Sequence, residues 1–170
     1  MAAMAPASDL KALIGSLSGI TGGSVVASFA ITAFTEIYPD VRFHEYVRPG
    51  FEPFSRSMAE RCLASPDWLV SLLDAVSMSR DPQIFSRGPL AGALGERLNQ
   101  NYTSAPISDS LLVAQGEAEG LIKPEIQENC VAQLKEDGQK VDFRTYPGRG
   151  HIELEEGDSP FLQELIDWTR

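Results

Sequence analysis

Histidine is scarce in this chain: 170 residues hold two, His44 and His151. Cysteine is as rare. Cys62 and Cys130 show no Cys-x-x-Cys spacing, which excludes a disulfide framework and a cysteine-rich zinc site. They either pair with each other or remain two buried thiols, and the sequence leaves both open. Asp-rich calcium loops and histidine pairs at metal spacing are lacking too, so neither metal nor cofactor is expected. Basic charge is in short supply, with 14 Lys and Arg against 24 Asp and Glu and a net charge of −10. That balance excludes the basic footprint that nucleic acid requires. The longest apolar run, from 25 to 34, has about half the ~20 residues of a membrane span. The opening "MAAMAPASDL" lacks the basic and apolar regions of a signal peptide, and nothing in the sequence assigns a location.

What is present reads as an ordinary globular chain, 43% hydrophobic and 22% charged. Acid is concentrated between Glu117 and Glu164, and a solvated, solubilising surface explains it. Asn101-Tyr102-Thr103 matches a glycosylation acceptor, which matters only on a secretory route.

Two stretches differ in grammar. Residues 1–104 read as helices and loops without a strand. Ser8-Asp9 caps a short helix through Ser16, an all-round apolar helix covers 22–37, and a third runs from 51 to 63. Ser65-Pro66-Asp67 is a helix start, and the segment after it places Trp68, Leu69, Leu72, Leu73 and Val76 at three-and-four spacing. A further helix covers 88–100. Residues 105–170 alternate instead. "LLVAQG" is a short buried strand, Pro124 opens a helix that stops at Asp137-Gly138, "KVDFRTYPG" is a second strand, and Ser159-Pro160 opens the last helix. The expectation is an α/β fold: a helical, cap-like region at 1–104, then a βαβα unit of a parallel sheet at 105–170. Two parallel strands cannot cover themselves, so this unit is expected to be the trailing edge of a larger sheet.

Catalytic groups of open α/β sheets lie beyond the carboxyl ends of the strands. One such end carries Glu117 and Glu119, and the next carries His151, 32 positions after Glu119. A carboxylate that orients an imidazole, and an imidazole that takes a proton from a hydroxyl, form the acid–base half of a hydrolase triad. The order acid, then histidine, also suits the α/β-hydrolase order. A bare loop histidine and a solvated carboxylate are the bland alternatives. His44, among Phe43, Glu45 and Tyr46, has no partner pattern and reads as structural.

"LLVAQGEAEGLIKP", "DGQKVDFRTYPGRGH" and "SPFLQELIDWT" together resemble the closing segment of the secretory, lipase A-like lipases of the α/β-hydrolase superfamily. The stretches "APASDL" and "GGSVVASFAITAFTEIYPD" are similar to that family's helical cap. The resemblance implies a serine carboxylic-ester hydrolase acting on lipid-like or short alkyl and aryl esters. It implies His151 as general base and Glu119, where the family usually has Asp, as the acid that orients it. Glu117 is the rival acid. The family's nucleophile lies in G-x-S-x-G, and no such motif occurs here. "GSLSG" has Leu17 in the middle, while Ser24 in "GGSVV" lacks the last glycine and a preceding strand. The chain is therefore expected to be the C-terminal part of such an enzyme, inactive alone, completed by an N-terminal hydrolase half or by self-association. The alternative is a non-catalytic remnant serving as a binding or complementation module. Val25 to Phe34, with Phe51 and Phe54, is expected either to line an acyl pocket or to pack the helices together.

Overall fold

A central strand with apolar side chains on both faces organises the sheet. In a computed structural model, which describes residues 1–17, 23–61, 66–78, 86–102 and 107–170, the chain forms two units. One joins Met1–Leu13 to Tyr102–Arg170, and the other is Ile14–Asn101. The expected boundary at 104/105 lies outside the described residues.

The first unit holds three parallel strands in the order β1 (Ala2–Met4), β2 (Leu111–Gly116), β3 (Val141–Tyr146). Every residue of β2 is buried. Its even positions, Leu112 and Ala114, pack with Ala5, Tyr146, Leu154 and Phe161. Leu111 and Val113 pack instead with Cys130, Val131 and Leu134. A strand covered on both faces has no polar side to show, which is why "LLVAQG" reads as a continuous apolar run.

β1 corrects the expectation that residues 1–104 contain no strand. Ala and Met are not strand formers, so local preference gives no signal. The strand forms because the free edge of β2 needs partners: Leu112 N–H donates to Met1 O at 2.9 Å, and Ala5 N–H to Ala114 O at 2.8 Å. Tertiary pairing overrides propensity here. The chain then leaves the sheet through Ala5, whose φ of 36° is uncommon for a residue with a Cβ.

The remaining elements of this unit start and stop where their residues dictate. In α1 (Leu10–Ser16), which leads into the second unit, Asp9 Oδ1 accepts from Ala12 N–H at 2.8 Å and caps the first turn. α7 (Pro124–Glu136) begins with its proline in the first turn and ends before Gly138, whose φ of 86° suits a residue without a Cβ. α8 (Pro160–Trp168) follows the same opening rule and buries Phe161 under the sheet.

The second unit is helical: α2 (Gly23–Ile37), α3 (Phe43–Tyr46), α4 (Glu52–Glu60), α5 (Trp68–Met78) and α6 (Gly92–Gln100). Val25, Met58 and Ala75 form one buried cluster in it, with Phe29 and Phe51 against them, while Phe54 is exposed. Of the two expectations for this apolar stretch, helix packing accounts for Val25, Phe29 and Phe51. The Ser28 and Ser55 hydroxyls, both fully buried, bond at 2.9 Å between α2 and α4. The short α3 carries Tyr46, also fully buried. Its hydroxyl accepts from Leu94 N–H at 2.9 Å and donates to Ala91 O at 3.1 Å. It thereby caps α6, whose own N-cap, Ala91, has no side-chain acceptor.

α5 departs from the expected pattern. Its buried line is Ser71 and Ala75, while Leu69, Leu73 and Val76 are 52%, 67% and 48% exposed. Two small residues let this helix approach Val25 and Met58 closely, and the larger apolar stripe is turned outward. The expected N-cap Ser65 lies outside the described residues. Among the described residues, no helix is long and apolar enough to cross a membrane.

Candidate functional site

Glu119 and His151 meet because two loops are stitched together at the carboxyl ends of β2 and β3. Glu117 N–H donates to Tyr146 O at 3.1 Å, and Ala118 N–H to Arg149 O at 2.9 Å. This approach requires a glycine at the end of β2: a Cβ at Gly116 would collide with the Arg149 carbonyl. The His151 loop is fixed from its other side by the Arg149 side chain. Its guanidinium donates to Asp158 Oδ1 at 3.0 Å and to Glu156 Oε2 at 3.3 Å. The hydrogen bond from Arg149 holds the Asp158 carboxyl below its ordinary range, and the same bond raises the guanidinium.

The Glu119 side chain is fully buried, and among the described residues its two oxygens meet three hydrogen-bond donors. Oε1 accepts from Leu121 N–H at 2.6 Å and from Ile122 N–H at 3.2 Å. Oε2 lies 2.6 Å from His151 Nδ1. With a carboxylate at that distance, Nδ1 carries the proton and donates it. The other nitrogen, Nε2, is then the basic one in the neutral ring. The His151 side chain is 44% exposed, so the imidazole is anchored on its Nδ1 side and open to solvent. Such an arrangement can accept a proton at Nε2 and stabilise the resulting imidazolium through the buried carboxylate.

The other sequence candidates fall elsewhere. Glu117 is taken by Thr145, whose hydroxyl donates to Oε1 at 2.9 Å. His44 is exposed on α3 in the second unit. Ser24 is buried in the first turn of α2. Cys130 is a buried free thiol, and Cys62 lies outside the described residues. Among the described residues, no hydroxyl or thiol is hydrogen-bonded to the imidazole, and no group of three His, Cys, Asp or Glu side chains could hold a metal.

Sequence reasoning passed over Gly116 and Arg149. Both had a signal: a glycine closing an apolar strand, and a lone arginine in "PGRGHIELEEGDS" followed by acids it could bind. The fold and this pair define a mixed α/β chain with a parallel sheet that carries an acid–histidine dyad at its carboxyl edge. Compared with protein-family models, curated proteins and solved structures, the chain matches none.

Proposed function

We propose that this chain supplies the acid–base half of a serine carboxylic-ester hydrolase, with the serine contributed from outside these 170 residues. The observation that carries this reading is the 2.6 Å contact between Glu119 Oε2 and His151 Nδ1 at adjacent strand ends, with the acid buried and the imidazole partly exposed. The resemblance of "LLVAQGEAEGLIKP" and "YPGRGH" to lipase A-like lipases points to lipid-like or short alkyl and aryl esters.

In that role His151 Nε2 removes the serine proton as the hydroxyl oxygen attacks the ester carbonyl. The protonated ring then gives that proton to the departing alkoxide, leaving an acyl-serine. In the second half, Nε2 takes a proton from water as the hydroxide oxygen attacks the acyl carbon. The acid is released and the serine is reprotonated. Glu119 stays ionised throughout and holds the ring in the tautomer both halves need.

The test uses p-nitrophenyl butyrate and a fluorophosphonate probe. The chain alone is expected to show neither turnover nor label. A product extended through the sequence encoded upstream of Met1 is expected to show both, and to lose turnover in His151→Ala. Turnover that survives His151→Ala, or an extended product without a reactive serine, would overturn the reading.

A further inference from the structure

Gln115 is the one polar side chain on β2, and it is fully buried. It follows Leu111 and Val113 on the strand face that packs against α7, where an apolar side chain of similar size would avoid any polar cost. Its amide is committed to one task. Nε2 donates to Ile122 O at 3.0 Å and to Gly116 O at 3.3 Å, while Oε1 has no partner among the described residues. Exchanging the two amide atoms would aim a carbonyl oxygen at two others, so the orientation is settled by its surroundings.

The amide therefore ties the last residue of β2 to the far end of the loop that carries Glu119. Ile122 is gripped from both sides: its C=O accepts from Gln115, and its N–H donates to Glu119 Oε1 at 3.2 Å. Leu121 N–H adds the second bond to the same oxygen. With Oε1 held by two peptide groups, Oε2 is presented to His151 Nδ1. We infer that Gln115 is a positioning residue for the dyad, acting through Ile122 to fix the Glu119 carboxylate and thereby the tautomer of His151. The inference rests on the reading of Glu119 and His151 as an acid–base pair, and it requires no ester chemistry.

The experiment is imidazole nitrogen NMR of the intact 170-residue chain at a pH where both rings are neutral. The two histidines make assignment simple, and exposed His44 is an internal reference for the ordinary tautomer mixture, in which Nε2–H predominates. In the parent chain His151 is expected almost wholly as Nδ1–H. In Gln115→Leu, which keeps the bulk and removes both donors, it is expected to move towards the His44 mixture. Val113→Ala, a core change on the same face, is expected to lower Tm while leaving the His151 tautomer as in the parent. An unchanged tautomer in a folded Gln115→Leu chain would overturn the inference, and so would an equal change in Val113→Ala. Should Gln115→Leu not fold, hydrogen exchange in the parent decides: Leu121 and Ile122 amides protected like those of β2 support it, and amides exchanging like surface loops refute it. Since none of these readings needs turnover, failure of the ester proposal and failure of this one are separable.

Discussion

A single hydrogen-bond choice separates the two glutamates after β2. Glu117 and Glu119 lie two positions apart on one loop, and from sequence either could have met the histidine. The loop turns so that Glu117 stays at the surface with Thr145, while Glu119 turns inward to three donors. That turn depends on Gly116, where the Arg149 backbone leaves no room for a Cβ. Gly116→Ala is expected to part the two loops, costing about 1–3 kcal/mol of stability as overpacking does. Urea unfolding measures the cost, and the His151 tautomer reports the parting. A variant as stable as the parent, with its tautomer intact, would show that the loops tolerate the side chain. His151 was legible because a strand and a glycine-flanked turn lead directly to it. Its partner was named only through the family resemblance, with Glu117 as rival, because residue pattern does not say how the backbone folds over three residues.

Among the elements, those with strong punctuation were readable: β2 by its apolar run, α7 and α8 by their prolines, β3 by its position after Asp137-Gly138. β1 and α3, three and four residues long, carry no periodicity and exist through what they pair with or cap. β3 and α8 are joined through one carboxylate. Glu164 Oε2 accepts from Tyr146 at 2.8 Å and from Arg144 at 2.9 Å, and these bonds hold its carboxyl below the ordinary range. Burial, and then the bond to Glu164, push the Tyr146 phenol up to about 12. A phenol that ionises later in the folded chain than in the unfolded one stabilises the fold while it is neutral. That contribution is complete below the unfolded value of ~10 and is lost as pH rises through about 12. Tyr102, pushed up to about 12 chiefly by burial, behaves alike. Phenolate absorbance should therefore show Tyr102 and Tyr146 ionising late, together with loss of helical circular dichroism. Tyr146→Phe should remove one late step. Tyr102 and Tyr146 both ionising near ~10 in a folded chain would contradict this.

For the molecule as a whole, the outward stripe on α5 is the feature that composition concealed. Leu69, Leu73 and Val76 have the spacing of a core-facing helix, so periodicity alone assigns them to the interior. Ser71 and Ala75 occupy that place instead. A stripe of this kind should bind a hydrophobic dye in the native state. Leu73→Lys is expected to reduce the dye signal while changing Tm by less than about 0.5 kcal/mol equivalent, as surface changes do. A large fall in Tm would mean that Leu73 is a packing residue. A net charge of −10 makes copies of the chain repel one another, which opposes self-association through such a surface.

The same charge has a kinetic side at the histidine. Residues 147–159 hold Glu153, Glu155, Glu156 and Asp158 against one cation, Arg149, and His151 lies within them. At physiological salt their field reaches about 8 Å before it is screened. On the proposed ester chemistry, the newly formed carboxylate would leave beside this excess of negative charge. Departure of the acid would be hastened and its rebinding opposed, most strongly at low ionic strength, so under that proposal the loop that carries His151 would also discourage inhibition by product.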